Sequence, residues 1–188
     1  MLKIGVIGIG NCGNQVAKKA MEQLNCDVYA LNSSMNDLST LPDTIPQFCL
    51  GDEKGAGKNR IEAKQFLKSS VLKLVEDEQF KKFMTDKDVI FIVSSTGGGT
   101  GSGMAPVLSE FIRQSFHDEK GQERAVILIG VLPKLSEAYS TQVNTLEYLS
   151  ELTETLNDPT YMMYDNERLA KEPTHIMMDS INSAIVQD

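Results

Sequence analysis

A glycine-rich heptapeptide is the feature that most constrains the fold of this chain. Residues 97–103 read Gly-Gly-Gly-Thr-Gly-Ser-Gly, between an apolar run at 88–93 and an amphipathic pattern that opens near Met104. Backbone with almost no Cβ atoms can bring its N–H groups close to an anion. Between the end of a strand and the start of a helix, those N–H groups and the helix dipole favour phosphate. The heptapeptide therefore predicts a phosphate-binding loop rather than a flexible linker, with hydroxyl donors on Thr100 and Ser102.

Apolar runs and amphipathic patterns alternate along the chain. Short apolar segments predict strands at 2–7, 27–31, 89–93, 125–132 and 160–164. Apolar residues three and four apart predict helices at 14–24, 61–84 with a break near Asp77, 104–116, 141–156 and after Pro173. Val107 and Leu146 are expected on the buried stripes of their helices. The prolines and the Gly-Ala-Gly turn within 42–59 predict mostly loop there.

This alternation predicts the fold class. Strands that are apolar throughout and separated by helices form parallel sheets whose two faces are both covered. We therefore predict an α/β fold, a Rossmann-like three-layer α/β/α arrangement with a mostly parallel sheet. Ligands of such sheets bind beyond the carboxyl ends of the strands. The glycine-rich and polar turns of this chain follow predicted strands, so they are the candidate site.

Composition excludes some partner classes. The 188 residues carry 18 Lys and Arg against 26 Asp and Glu, a net charge of −8, which disfavours direct binding to nucleic acid. A protein with a basic surface remains a compatible adaptor. No apolar run approaches the roughly 20 residues that span a bilayer, so membrane insertion is not expected. Three cysteines at irregular spacing indicate a reducing, cytoplasmic setting.

The first glycine-rich turn admits a dinucleotide interpretation. Residues 8–13, Gly-Ile-Gly-Asn-Cys-Gly, fit the G-x-G-x-x-G fingerprint of NAD-binding Rossmann proteins. That fingerprint also predicts an acidic residue at the end of the second strand, where this chain has Asn32-Ser33-Ser34. The missing acid disfavours NAD, which stays as the third alternative below.

Several segments together resemble the tubulin/FtsZ superfamily. The heptapeptide resembles its GGGTG[ST]G signature, and residues 10–15, Gly-Asn-Cys-Gly-Asn-Gln, resemble GQCGNQ of tubulin's first loop. Residues 32–38 are similar to the second loop of the family. Residues 55–59, Gly-Ala-Gly-Lys-Asn, resemble the G-A-G-x-N third loop, which covers the γ-phosphate side. Lys58 adds a cation there. Members of this superfamily bind GTP and polymerise.

The resemblance extends to the base and the ribose. Glu137 matches the FtsZ glutamate that contacts ribose, although Thr141 stands where FtsZ has arginine. Asn166, in Asp-Asn-Glu-Arg-Leu, matches the asparagine that reads the guanine edge, and an amide offers both a donor and an acceptor for that task. Met178 falls where the family stacks an aromatic ring on the base. Asn182 matches the second base-reading asparagine of tubulin.

The resemblance implies a guanine-nucleotide site with GTP or GDP as ligand and Mg²⁺ beside the phosphates. Its expected residues are Gly10, Asn11, Cys12, Asn14, Gly55, Ala56, Gly57, Gly97, Gly98, Gly99, Thr100, Gly101, Ser102, Glu137, Asn166, Met178 and Asn182. No catalytic residue and no protein ligand to a metal is assigned. Cys12 has no evident histidine partner and is interpreted as a packing residue beside the nucleotide. Asp52 and Glu53 are interpreted as a solvated loop, with an approach to Mg²⁺ through water as the alternative.

The resemblance covers the whole chain but only about the first half of the family's length. Residues 1–172 are expected to form the GTP-binding domain and 173–188 the start of the central helix, with the activation domain absent. The family's acidic activation loop would then be missing, so this chain alone should hydrolyse GTP weakly or not at all.

The mixture of motifs resembles FtsZ and the divergent TubZ-like proteins of plasmids and phages, so a bacterial or phage-infected host is expected. We predict the nucleotide-binding domain of a polymerising GTPase whose full-length parent self-associates into filaments that position DNA or act in cell division. The alternatives are a non-polymerising regulator or cap of such filaments and, third, an NAD-binding Rossmann protein.

Overall fold

The fold is built on one six-stranded parallel sheet. The computed structural model describes residues 2–52, 54–117, 121, 123–156 and 159–169. The strands are β1 Ile4–Ile9, β2 Asp27–Ser34, β3 Gln47–Asp52, β4 Val89–Ser95, β5 Ala125–Leu132 and β6 Thr160–Asp165. Their order across the sheet is β3-β2-β1-β4-β5-β6, and all five neighbouring pairs are parallel. The strand order reverses between β1 and β4, so the carboxyl ends of these two strands flank the crevice where such sheets bind ligands.

The helices connect successive strands. They are α1 Gly10–Leu24, α2 Met35–Leu38, α3 Arg60–Glu76, α4 Glu78–Thr85, α5 Thr100–Ser115 and α6 Tyr139–Ser150. A π-helical stretch, Glu151–Thr155, continues α6, and a 3-10 helix, Asn166–Leu169, follows β6.

Two apolar clusters cover the two faces of the sheet. Because side chains alternate along a strand, Ile7 of β1 belongs to a cluster with residues of α3, α4, α5 and α6 on one face. Val6 belongs to a cluster with residues of α1 and α2 on the other face. The first cluster includes Tyr29, whose hydroxyl donates to the Asp77 carboxylate at 2.9 Å. The predicted three-layer α/β/α architecture is therefore confirmed.

Asp77 also confirms the predicted break in the long helical pattern. Its backbone leaves the helical region, and its carboxylate accepts a hydrogen bond from the Phe80 amide at 2.8 Å. This side chain caps the first turn of α4, as aspartate does at helix N-termini. The pattern over 61–84 is thus two helices that meet at one capping residue.

The prediction of loop for 42–59 is wrong at β3, Gln47–Asp52. This strand lies at the edge of the sheet and pairs only with β2, with a register shift between Asn32 and Ser34. A short edge strand needs one partner and one buried face, so its sequence lacks the continuous apolar run by which β4 and β5 are recognised.

Helix starts and two buried positions also differ from the prediction. Helices α1 and α5 begin at Gly10 and Thr100, inside the predicted loops, because tertiary contacts override the low helix propensity of glycine. Val107 and Leu146 are exposed. Helix α6 instead buries the polar residues Thr141, Asn144 and Thr145. The helical pattern predicted after Pro173 lies outside the described residues.

Candidate functional site

The candidate site lies at the carboxyl ends of β1 and β4, where two helices begin side by side. Helix α1 starts directly after β1, and α5 starts after a loop of four residues, 96–99, that follows β4. Neither N-cap residue, Ile9 or Gly99, places a side chain on the exposed N–H groups of the first turn. Four N–H groups at a helix start lack intrahelical partners, and the dipole makes that end positive. Two such ends converge here on one crevice.

Glycines let the loops of the site approach one another. A Cβ on Gly10, which has φ +72°, would lie 3.2 Å from the Gly101 nitrogen. A Cβ on Gly99 would lie 2.7 Å from Cα of Lys58 and 2.8 Å from the Asn59 nitrogen. The first and third loops therefore pack backbone to backbone against the glycine-rich loop. Gly98 is different, because a Cβ there would meet no atom of the described residues within 4 Å, so this residue faces space that they leave open.

The second loop reaches the same place because β2 is longer than predicted. Ser33 lies within β2, and its hydroxyl is 2.6 Å from the Thr100 hydroxyl. The Ser33 oxygen also accepts a hydrogen bond from the Ala56 amide at 3.1 Å. Gly55, at φ +73°, packs against Ser33 and Ser34. Four loops, after β1, β2, β3 and β4, thus meet at one point.

The two hydroxyls of the heptapeptide are engaged within the protein. Ser102 is buried and its hydroxyl donates to the Gly98 carbonyl, while Thr100 pairs with Ser33. The donors that remain toward open space are therefore backbone N–H groups. Within the described residues, no partner is recorded for the N–H of Gly98 or Gly99.

The second turn of α1 contains a buried amide without a partner among the described residues. Asn14 is 2% exposed, and neither its Oδ1 nor its Nδ2 has a hydrogen-bond partner among the described residues. Asn11, one turn earlier, is exposed. An unpartnered buried amide is costly, so a group outside the described residues is expected to satisfy Asn14.

Cys12 lies beneath the site and is not poised for chemistry. Burial, with a smaller contribution from the negative charge of Glu137, raises the pKa of the Cys12 thiol to about 12. Such a thiol is protonated at neutral pH and is a poor nucleophile.

Glu137 organises the loop after β5. Its carboxylate accepts a hydrogen bond from the Lys134 amide at 2.9 Å, and the neighbouring Leu135 amide donates to Glu167 at 3.0 Å. This second contact joins the loop after β5 to the 3-10 helix after β6. Glu137 itself is exposed, so its second oxygen is available to a ligand hydroxyl.

Asn166 marks the far side of the site. It follows β6, two strand spacings or about 10 Å from β4, and begins the 3-10 helix. Its side chain is 7% exposed, and its Oδ1 has no partner among the described residues. The predicted site residues Met178 and Asn182 lie outside the described residues.

Gly57 and Lys58 stand at the open edge of the third loop. A Cβ on Gly57 would meet nothing within 4 Å. Lys58 adopts φ +65°, and its ammonium donates to the Thr141 hydroxyl at 3.3 Å. No carboxylate pairs with this ammonium in the described part of the chain. Lys58 is therefore a cation beside the glycine-rich loop without an anionic partner.

Sequence reasoning missed two residues that hold the site together. The Asn144 amide donates to carbonyl oxygens of the third and glycine-rich loops, and the buried Arg60 guanidinium donates to the carbonyls of Asn144 and Ser102 at 3.2 and 3.0 Å. The available signal was the run of polar residues on the buried side of α6, where an apolar stripe was expected.

Residues 2–52, 54–117, 121, 123–156 and 159–169 contain no group of three His, Cys, Asp or Glu side chains that could hold a metal ion. Asp52 uses one carboxylate oxygen to accept from the Lys54 and Gly55 amides, at 2.9 and 3.0 Å. Glu53 lies outside the described residues. None of the described helices is long and apolar enough to cross a membrane.

The family assignment rests on a match to nearly the whole described chain. Residues 3–172 match the model of the tubulin/FtsZ family, GTPase domain. The chain belongs to the tubulin/FtsZ family. The glycine-rich loop and the parallel sheet described above are thus those of a tubulin/FtsZ GTPase domain.

Individual relatives agree with this assignment. Tubulin-like protein CetZ of Pyrococcus horikoshii is 27% identical over 193 residues, covering 97% of this chain and 50% of the relative. Cell division protein FtsZ of Aquifex aeolicus is 27% identical over 174 residues, covering 83% of this chain and 46% of the relative. The chain therefore spans about half the length of the curated relatives it matches.

Solved structures of tubulin/FtsZ proteins share the fold. CetZ from Methanosaeta thermophila superposes with a TM-score of 0.85 at 28% identity, covering 100% of this chain and 52% of that one. CetZ2 from Haloferax volcanii, solved as a GTPγS-bound protofilament, gives 0.85 at 25% identity, covering 99% of this chain and 56% of that one.

Proposed function

We propose that this chain is the guanine-nucleotide-binding domain of a polymerising GTPase. The observation that carries the proposal is the convergence of two uncapped helix starts, α1 and α5, on one crevice at the switch point of the sheet. Such a crevice suits the phosphates of a nucleotide. Family membership and the GTPγS-bound CetZ2 neighbour support guanine as the base.

The phosphates are assigned to the first, third and glycine-rich loops. Within the described residues, no hydrogen-bond partner is recorded for the N–H groups of Gly98 and Gly99, and a Cβ on Gly98 would meet no described atom within 4 Å. The unpartnered amide of Asn14 and the unpaired ammonium of Lys58 supply further donors. Mg²⁺ is expected to enter with the nucleotide, because it binds phosphates and retains several waters rather than requiring a cage of protein ligands.

The base and the ribose are assigned to the far side of the site. The free Oδ1 of Asn166 suits the exocyclic amine of guanine, which is a donor. The exposed carboxylate of Glu137 suits a ribose hydroxyl. Met178 and Asn182, which lie outside the described residues, are proposed for base packing and base reading on the resemblance alone. Residues 1–172 remain our assignment for the nucleotide domain and 173–188 for the start of the central helix.

Filament formation and hydrolysis are proposed for a longer protein. Relatives of about twice this length include CetZ, FtsZ and TubZ proteins, and the CetZ2 neighbour is a protofilament. Hydrolysis needs a group that positions the attacking water, and we assign no residue of this chain to that task. A cytoplasmic location is part of the same proposal.

Isothermal titration calorimetry with GDP, ATP and NAD tests the nucleotide assignment. We expect GDP to bind and the other two to give no heat above dilution. NAD binding without GDP binding would contradict the proposal and restore the dinucleotide interpretation of residues 8–13. Binding of none of the three would contradict it as well.

Replacing Asn166 tests how the base is read. Inosine diphosphate lacks only the exocyclic amine of GDP, so the unaltered chain is expected to prefer GDP by about tenfold, the value of one buried hydrogen bond. Asn166→Ala removes the acceptor and is expected to bind both nucleotides with similar affinity. An unchanged preference for GDP in this variant would show that Asn166 does not read the base, and would contradict its assignment to the site.

A further inference from the structure

We propose that Asn144 is a positioning residue for the phosphate cradle. In this inference, its side-chain amide holds the carbonyls of Gly97 and Gly98 away from the crevice, which turns the next two N–H groups toward the phosphates. The inference rests on the proposed function, because it concerns how the same site is shaped. Asn144 lies on α6, outside the short motifs whose residues resemble those of the family.

The first support is the set of groups that Asn144 contacts. Its Nδ2 donates to the carbonyl oxygens of Lys58 at 3.0 Å, Gly97 at 3.1 Å and Gly98 at 3.0 Å. The side chain is buried. An amide nitrogen carries two hydrogens, so three carbonyls share them and all three must point at one atom. Asn144 therefore joins the third loop to the glycine-rich loop through hydrogen bonds from one side-chain nitrogen on α6.

The second support is the geometry of the peptide group. In a trans peptide the C=O of one residue and the N–H of the next point in opposite directions, and no cis peptide bond occurs in the described residues. Since the carbonyls of Gly97 and Gly98 point at Asn144, the N–H groups of Gly98 and Gly99 point away from it. Within the described residues, no partner is recorded for either N–H, and Gly98 faces open space.

The third support is the anchoring of Asn144 itself. Its carbonyl accepts from the Arg60 guanidinium at 3.2 Å, and the same guanidinium donates to the Ser102 carbonyl at 3.0 Å and to Glu151 at 2.7 Å. Arg60 is only 3% exposed. Its planar donors therefore fix the spacing between α5 and α6. The backbone carbonyl of Asn144 is therefore fixed by Arg60, while its side-chain amide binds the carbonyls of the third and glycine-rich loops.

One turn before Asn144, Thr141 extends the same arrangement. Its hydroxyl accepts from the Lys58 ammonium at 3.3 Å, and a Cβ on Gly97 would lie 2.3 Å from its methyl carbon. The first turns of α6 thus contact the lysine and the glycines at once. A displacement of α6 would move the cation and the N–H donors together.

The test compares three variants of the full chain. Asn144→Asp keeps the size but presents an acceptor to three carbonyls, and Asn144→Ala removes the donor. Leu146→Ala is the matched control, because Leu146 lies on the same helix and is 68% exposed. GDP binding is measured by calorimetry and guanosine binding by saturation-transfer NMR, with urea unfolding on each variant.

The expected result separates phosphate binding from base binding. Both Asn144 variants should weaken GDP binding about tenfold or more and leave guanosine binding unchanged, while Leu146→Ala matches the unaltered chain. Equal loss of GDP and guanosine would indicate a general structural role and overturn the inference. Unchanged GDP binding would overturn it too. If the unaltered chain binds no GDP, the proposed function fails and the inference with it.

A measurement on the unaltered chain covers the case in which the Asn144 variants do not fold. GDP titration followed by amide NMR should shift the Gly98 and Gly99 N–H resonances strongly and downfield, as expected for N–H donors to an anion. The N–H of Gly121, in a turn after α5, serves as the internal reference. If GDP binds but the Gly98 and Gly99 resonances stay in place, the inference is wrong while the proposed function stands.

Discussion

The two ends of the parallel sheet differ in how many of their polar groups have partners within the described residues. At the amino ends of the strands, the buried Lys87 ammonium pairs with Asp27 at 2.7 Å and with Asp86. Lys3 pairs with Asp86 at 3.2 Å, and the Arg124 guanidinium donates to the Lys87 carbonyl.

At the carboxyl ends, by contrast, the donors are backbone N–H groups, the Asn14 amide and the Lys58 ammonium. Among the described residues, Asn14 has no hydrogen-bond partner and Lys58 has no carboxylate partner. The charged groups at the amino end are mostly paired within the chain, although Arg124 Nε is buried without a partner among the described residues. The carboxyl end leaves both polar atoms of the Asn14 side chain without one.

This difference identifies a binding site better than cavity size does. A cavity of about 840 Å³ extends from the amino ends of the strands along one face of the sheet, and apolar side chains such as Val93 and Ile129 form much of its lining. A polar group buried without a partner lowers stability by a few kcal/mol at most sites. Such groups persist where a ligand satisfies them. Asn14 and Asn166 meet this criterion at the carboxyl end, where Asn14 directly follows the first glycine-rich turn. Among the described residues, the unpartnered side-chain atoms at the amino ends are Gln47 Oε1 and Arg124 Nε.

The largest effect is expected from Gly99→Ala at the carboxyl end. The new Cβ would lie 2.7 to 2.8 Å from backbone atoms of Lys58 and Asn59, and backbone cannot swing away as a flexible side chain can. Overpacking of this kind lowers the free energy of unfolding by about 2–3 kcal/mol. Urea denaturation measures this loss, and GDP binding should fall with it.

Gly98→Ala is the matched control for that substitution. A Cβ on Gly98 meets nothing within 4 Å, so unfolding of the nucleotide-free protein should change by about 0.5 kcal/mol or less. Equal destabilisation by the two alanines would contradict the close packing of the third loop on the glycine-rich loop.

A smaller effect is expected from Lys87→Met at the amino end. Burial opposes the charge of Lys87, but hydrogen bonds to Asp27 and Asp86 outweigh that penalty, and its pKa is raised above the ordinary 10.5. The Asp27 side chain is 71% exposed and stays hydrated when its partner is removed, so the loss of stability should be only about 1 kcal/mol. GDP binding should not change.

The pH dependence of that loss can be derived from the direction of the pKa shift. Because the folded-state pKa of Lys87 is raised, its stabilising contribution is complete below pH 10.5 and disappears as the pH rises through the folded value. Lys81→Met, at an exposed ion pair with Glu78, should give no measurable change. A loss of GDP binding on Lys87→Met would mean that the two ends are coupled.

The smallest effect concerns Cys12 and Glu137 at the carboxyl end. With a pKa raised from 9.0 to about 12, Cys12 has about a thousandfold less thiolate at pH 8 than an ordinary cysteine. Peptide mapping after iodoacetamide treatment should find it unmodified in the folded protein and modified in urea. Glu137→Gln removes the negative charge, which is the smaller of the two causes of the raised Cys12 pKa. The thiol pKa should therefore fall a little, and the alkylation rate should rise only slightly. Rapid alkylation of folded Cys12 would contradict the buried first loop.

The strands were predictable where both faces of the sheet are covered. The prediction for β5 matches the structure at both ends, and the helix break at Asp77 was correctly located, because each depends on residues that are adjacent in sequence. Edge strand β3 and the buried polar side of α6 were not predictable from such patterns. Their residues are determined by partners up to 86 positions away, as in the contact of Asn144 with Lys58.

By itself, the sequence determined the alternation of strands and helices, the glycine-rich turns at the strand ends and membership of the tubulin/FtsZ family. These follow from local spacing and from glycine, whose missing Cβ is visible in any sequence. Only the tertiary structure decided that Ser33, Lys58, Arg60 and Asn144 meet around the heptapeptide. Hydrogen bonds between distant segments depend on where the sheet places each helix, and no local pattern encodes that placement.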